Sequence, residues 1–329
     1  INFSLLQKFP YASLRFSHVL IPEVGQNEPD TLLYIKDLYL QIGLLDFFSK
    51  EYKVSEAEVN EGFFQMKLFD DGSNNFRFWK SSSDTTDNSF SLKNIEFDNF
   101  YYRLVTSQNL EIDVLINNAV GNGNFGADQF ALDADTDLLV KSISYKGDTL
   151  YESKRIDGKL ELNIDTKSKL YSFKTDKILL GEENVKLEGV YDESGEKSFW
   201  DVNMAAANAD LANVVDLIPI PNQEIFKTYQ PEGESNLSMN ISTNEGFGLL
   251  LDFDDLEGEI IQTQSSGKAE IYSGKGRYDI TNGRSNLKLE GLQAGIGPGK
   301  FTTSGEIKNF DAPSIDLAIQ GRLELSELK

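Results

Sequence analysis

The sequence contains no cysteine and a single histidine, His18. The first absence removes disulfides, thiolate metal sites and thiol nucleophiles together. The second removes most forms of zinc coordination and of the Ser-His-Asp arrangement. His18, beside the apolar run Leu14-Arg15-Phe16, reads as a surface or packing residue. Basic residues are in short supply as well: 31 Lys and Arg face 53 Asp and Glu, a net charge of −22. A surface this acidic repels phosphate backbones and anionic headgroups, which argues against nucleic acid as a partner and against electrostatic membrane docking. No apolar run reaches the ~18 residues that span a bilayer. The chain opens on Ile1 with no Met, basic n-region or apolar h-region, and reads as a trimmed start. Lack of thiols fits the cytoplasm and an oxidising compartment alike.

What is present is core-forming material on a chain of 329 residues, including 22 Phe and 13 Tyr, which points to a folded protein with a sizeable core. Apolar and polar residues alternate with period two in short runs: Leu14–Phe16, Leu38–Leu40, Phe64–Leu68, Ile112–Ile116, Leu160–Ile164, Val185–Leu187, Leu237–Ile241, Leu287–Leu289 and Ile315–Ile319. Alternation gives each strand one apolar and one wet face, as in antiparallel sheets. Asp71-Gly72, Asp157-Gly158 and Asn282-Gly283 supply turn signals between neighbours. Helical spacing is scarce. Gly43–Lys50 has room for a turn or two. Ala205–Ile218 places Leu211, Val214, Val215 and Ile218 on one helical face, stopped by Pro219 and Pro221. Val185-Lys186-Leu187-Glu188-Gly189 recurs as Leu287-Lys288-Leu289-Glu290-Gly291, a faint strand–turn–strand repeat. Composition shifts at the polar stretch Ser81–Ser89, the Pro-rich stretch Pro219–Pro231 and the Gly-rich Gly291–Gly299.

Motifs that suggest chemistry have plainer readings. Gly121-Asn122-Gly123-Asn124-Phe125-Gly126 matches a dinucleotide fingerprint, but alternation continues through Phe130 and Leu132 where a helix is required, so a Gly/Asn turn between strands is the better reading. Gly295–Lys300 misses a phosphate loop at Ala294 and Phe301. Asp133, Asp135 and Asp137 open like a calcium loop, yet Leu138 stands where Gly is needed and Ser144 where Glu is needed. Aspartates on the wet face of a strand fit better, with a weak surface calcium site as the alternative. Carboxylate pairs abound, as any acidic chain must show, while Trp79 and Trp200 lie far apart, so a glycosidase cleft has little support. No cofactor or metal is expected. The apolar strand faces remain: Ile112, Val114, Ile116, Leu160, Leu162, Ile164, Leu237, Met239 and Ile241 face a closed core or an open groove.

The order of elements over Phe9 to Trp79 resembles one family. Phe9-Pro10-Tyr11-Ala12-Ser13-Leu14-Arg15-Phe16 leads to a strand around Leu32 to Leu40 and then to the apolar turn Gly43–Lys50. Tyr52-Lys53-Val54 and Val59–Met66 follow, closed by Asp71-Gly72-Ser73-Asn74-Asn75-Phe76. This is similar to the amino-terminal region of AsmA-like proteins, which include TamB-type members. The late unit Phe310-Asp311-Ala312-Pro313-Ser314-Ile315-Asp316-Leu317 resembles their repeated segments. The resemblance implies an inner-membrane anchor absent from this chain and a periplasmic body. It also implies a curved sheet, half-barrel or taco-like, whose apolar concave side shields acyl chains.

The expectation is therefore a mainly β, extended and curved antiparallel sheet of short strands with one or two short helices. Residues 1–80 form an AsmA-type module, 81–218 a continuing sheet ending in a helix, and 219–329 a carboxy-terminal repeat block. The expected function is non-catalytic: a periplasmic envelope protein, tethered to the inner membrane, conducting phospholipid or another acyl lipid in support of outer-membrane assembly. Envelope proteins are possible partners. The alternative is a β-sandwich or β-solenoid that binds a glycan or a protein.

Overall fold

The computed structural model describes residues 2–4, 11–23, 30–43, 54–69, 71, 73–75, 90–125, 129–217, 229–262, 267–281, 283–310 and 312–322. They are almost entirely strand, with mainly antiparallel pairing, as the alternation requires. Two compact units result: Ile1–Ile178 with Asp192–Ser198, and Leu179–Tyr191 with Phe199–Lys329. This division differs from the three-part expectation. Residue 80 falls inside the first unit, and the 81–218 segment is split.

The first unit carries β1 (Asn2–Ser4), β2 (Tyr11–Pro22), β3 (Thr31–Gly43), β4 (Val54–Lys67), β5 (Phe90–Val105), β6 (Leu110–Phe125), β7 (Gln129–Tyr145) and β8 (Asp148–Asp165), and most of β9 (Leu170–Leu180). Strands β1 to β4 pair antiparallel in sequence order, as do β5 to β8. The exception to the antiparallel expectation is β4–β5, which is parallel, with Ala57 opposite Ile95 and Phe64 opposite Tyr102. A parallel neighbour needs a long return connection, and the stretch from Lys67 to Phe90 supplies one. The polar Ser81–Ser89 loop belongs to it and lies outside the described residues, as does most of the Gly43–Lys50 turn.

The second unit holds β10 (Glu183–Asp192), β11 (Phe199–Asp210), helix α1 (Leu211–Leu217), β12 (Tyr229–Ser242), β13 (Gly248–Gln262), β14 (Gly267–Thr281), β15 (Arg284–Ile296), β16 (Gly299–Lys308) and β17 (Ser314–Arg322). From β11 to β17 it is an antiparallel meander. The helix expected from Ala205 starts only at Leu211. Met204, Ala206 and Ala209 are buried against the sheet, so the chain stays extended to Asp210. There the Asp210 carboxylate accepts a hydrogen bond from the Ala212 amide at 2.9 Å and caps the helix. Val214 is buried. Ile218 and most of the Pro219–Pro231 stretch lie outside the described residues.

Several strands are far longer than the apolar runs, because the alternation changes phase partway along them. In β2 the apolar face passes from Leu14 and Phe16 to Val19. In β4 it passes from Ala57 and Val59 to Phe64, and in β5 from Ile95 and Phe97 to Phe100 and Tyr102. The shifts align across β2, β4 and β5, where His18, Glu61 and Asn99 sit at them with φ of 56°, 53° and 51°; Ser153 on β8, with φ of 55°, lies off that row. A residue in this left-handed region inside a strand acts like a bulge, bending the strand and turning the next side chain over. The second unit repeats the device at Asn208, Asp255 and Gly291. There the Asn236 amide group accepts from the Asn208 amide at 3.0 Å and donates to Asp255 at 3.1 Å.

One end of the first unit is tied by Asn75, which is fully buried. Its Nδ2 donates to the Glu23 carboxylate at 2.9 Å and to the Gln65 carbonyl at 2.8 Å, and its Oδ1 accepts from the Lys67 amide at 2.7 Å. Lys67 Nζ lies 2.7 Å from the same Glu23 oxygen. Asn75→Ala removes the side-chain partner of the Lys67 amide and the Gln65 carbonyl and leaves Glu23 with Lys67 alone. We expect a stability loss of about 2–3 kcal/mol, read as a lower urea midpoint with unchanged slope.

Candidate functional site

Register places a continuous apolar face across the first unit. One row runs Val19, Ile35, Gly62, Phe100, Ile116, Leu138 and Ile156, each opposite the next. Ile35, Val59 and Phe100 form its buried centre, with Leu33, Phe64, Phe97 and Ile116 packed around them. The opposite face carries ion pairs such as Arg15–Asp37 at 2.9 Å and Lys36–Glu61 at 2.7 Å.

The apolar face is concave. Leu132 on β7 packs with Ala57 on β4 and Ile95 on β5 although β6 lies between β5 and β7. It reaches across because Gly123, its partner on β6, and Gly121, opposite Ile95, present no side chain. Gly121 to Phe125 is thus strand rather than the expected Gly/Asn turn, and Gly121 and Gly123 leave room for the curvature; Gly126 lies outside the described residues. A second observation agrees. Tyr102 on β5 interacts electrostatically with Tyr171 on β9, four strand positions along the sheet. A flat sheet separates such strands by about 19 Å. Asp71, just past β4, likewise feels Lys169, between β8 and β9. Both couplings agree with a sheet that coils.

Six of the expected groove residues lie on this face together. Ile112, Val114 and Ile116 on β6 stand opposite Ile143, Val140 and Leu138 of β7, while Leu160, Leu162 and Ile164 on β8 stand opposite Ala134, Leu132 and Phe130. All six are half-buried. Among the described residues, the first unit contains only strands, all belonging to one sheet. The other three expected residues are in a different setting. Leu237, Met239 and Ile241 are 7%, 3% and 3% exposed, packed within the second unit beside Met204 and Ala206 of β11 and Leu249 and Leu251 of β13. Sequence reading missed Phe64, Phe97, Tyr102 and Leu138, whose place on the face follows only once the phase shifts are known.

The tyrosines mark how dry the surroundings are. Burial, then the hydrogen bond to Asp113, pushes the Tyr101 phenol up to about 12 from 10.0. Burial pushes Tyr102 and Tyr151 higher still. In the unfolded chain these phenols ionise near 10, whereas the folded chain holds their protons. Their contribution to stability is therefore complete below about pH 10 and declines as pH rises through 12. Urea midpoints should be flat up to about pH 10 and fall above it, less steeply in Tyr101→Phe.

The remaining candidates are accounted for by local contacts. Asp137 accepts two hydrogen bonds from Arg155, both 3.1 Å, and one from Asn117 at 3.3 Å. Asp133 and Asp135 stand opposite Glu161 and Lys159. Among the described residues no group of three acidic or histidine side chains is placed to hold a metal. His18 is exposed beside Tyr34, with ring centres 6.4 Å apart. Gly295–Lys300 joins β15 to β16 as a hairpin. A depression of about 500 Å³ in the second unit is lined by Lys275, Arg277 and Lys288, among others. Its cations are paired, Arg277 with Asp252 at 2.6 Å and both lysines with Glu290, so it holds no surplus charge for an anion. Compared with family models, curated proteins and solved structures, the chain finds no match.

Proposed function

We propose that the chain is a non-catalytic, lipid-handling part of an AsmA-like envelope protein, in which the concave face of the first unit shields acyl chains. In this reading the body lies in the periplasm, an anchor elsewhere in the protein holds it to the inner membrane, and other envelope proteins take part in outer-membrane assembly. The observation that supports it most is a concave apolar face on which Ile112, Val114, Ile116, Leu160, Leu162 and Ile164 are half-buried, beside a fully buried centre at Ile35, Val59 and Phe100. A sheet with an apolar face must cover it with protein, lipid or a partner. Acyl chains gain about 0.8 kcal/mol per buried CH2 without directional preference, so selectivity for chain type should be loose.

The test is native mass spectrometry of protein purified from bacteria, which should retain phospholipid. After lipid removal it should take up a fluorescent fatty acid. Monodisperse protein that carries no lipid and takes up none contradicts the proposal.

A second reading has one observation in its favour. On the opposite face Tyr34, Phe63 and Tyr101 stand in register on β3, β4 and β5, with the first two rings 6.1 Å apart. Adjacent rings of this kind suit a sugar ring. Quenching of tyrosine fluorescence by soluble oligosaccharides, lost in Phe63→Ala, would favour glycan binding.

A further inference from the structure

We infer that the face opposite the concave one docks a cationic amphipathic helix of a protein partner, laid across β3 to β6 on a stripe centred on Phe63 and Tyr101. This goes beyond the lipid reading and does not depend on it. Alternation fails on five adjacent strands at one level of the sheet. Tyr34-Ile35, Phe63-Phe64, Tyr101-Tyr102, Leu115-Ile116 and Leu138-Leu139 put large apolar or aromatic side chains on both faces. A strand wetted on one side alternates, whereas consecutive apolar residues mark a strand covered on both. The inner members join the concave face. The outer ones continue a row of Leu20, Tyr34, Phe63, Tyr101, Leu115 and Leu139, each opposite the next. Leu20 is 61% exposed and the other five are half-buried, so the row is open to a partner.

Charge selects that partner. Past the kinks at His18, Glu61 and Asn99, the same face carries Asp37, Asp98 and Asp137 on one row and Glu58, Glu96 and Asp135 on the next. Among the described residues, the cations on these two rows are Arg15 and Lys159, and Arg155 reaches Asp137 from the end of the stripe. A helix with cations beside its apolar stripe meets this acidic surplus. Spacing suits a helix as well. From Tyr34 to Leu115 the row crosses four strands, about 14 Å. Three helical turns rise about 16 Å, so apolar residues one turn apart meet one strand each. Sugar stacking is served less well. The Tyr34 and Phe63 rings are inclined by 33°, and Lys141 Nζ lies over the Tyr101 ring, 5.2 Å from its centre.

The test uses the 329-residue chain and a fluorescein-labelled helical peptide with leucine on one face and lysine on the other, at physiological salt. Anisotropy should show saturable binding that a leucine–glutamate peptide lacks. Phe63→Ala should weaken it roughly tenfold or more. Asp98→Lys, at an exposed position, should weaken it roughly 3- to 10-fold with the unfolding midpoint unchanged. Asp316→Lys, the same charge change in the second unit, should alter it little. Methyl myristate, which takes the concave face, should not displace the peptide. No saturable binding, binding that survives both Phe63→Ala and Asp98→Lys, or displacement by methyl myristate overturns the inference while leaving the lipid reading intact. Binding of cellohexaose that is lost in Phe63→Ala, without peptide binding, overturns it in favour of the glycan reading.

Discussion

Leu162→Glu should weaken uptake of a fluorescent fatty acid at least about tenfold, with little change in the unfolding midpoint. Leu162 lies on the concave face of β8, opposite Leu132. Because Leu162 is only partly buried in the free protein, a carboxylate there keeps part of its water and perturbs folding less than it perturbs binding. Once an acyl chain covers it, that water is lost and no cation faces it from Leu132 or from Leu160 and Ile164 alongside. The penalty therefore falls on binding. Glu161→Gln, one residue away on the opposite face, should leave uptake unchanged. Unaltered uptake in Leu162→Glu would mean that the guest sits elsewhere.

The second large effect is on folding. Gly121→Val should cost about 3 kcal/mol, seen as a drop in urea midpoint. A Cβ at Gly121 would stand 2.1 Å from the Asp133 carbonyl oxygen and 2.6 Å from both Cα and Cβ of Ala134. These are backbone atoms and a methyl group, none of which can swing aside. A side chain there also intrudes where Leu132 reaches toward Ile95, so the cost includes the curl of the sheet. Gly121→Ala should already destabilise, because its first carbon makes the same contacts.

Much of the architecture was legible in the residues. Ile112, Val114 and Ile116 name one face of β6 correctly because no phase shift interrupts them. What escaped was length. Leu14–Phe16 looks like a complete strand, yet it is part of Tyr11–Pro22, since the left-handed turn at His18 moves the apolar face from even to odd positions. Alternation cannot separate a strand end from a kink, because both interrupt the pattern. The same limit hid Tyr102, which follows Asn99 and so falls on the face that its numbering relative to Phe97 would deny it. Leu237, Met239 and Ile241 alternate as cleanly as Ile112–Ile116 and yet are buried. Period two reports which face a residue takes, not what covers that face. The parallel β4–β5 pair had no local signal either, for it depends on where a long connection returns.

The directness of a test depends on locating the guest itself. A fatty acid bearing a diazirine on its chain, irradiated with the 329-residue chain and mapped by peptide mass spectrometry, reports the contact residues. Label should concentrate on peptides containing Val114, Ile116, Leu160 and Leu162, with little on the strands of the second unit. Label spread over the ion-paired face, confined to the second unit, or absent while the protein remains folded would contradict a lipid trough on the inner side of this sheet.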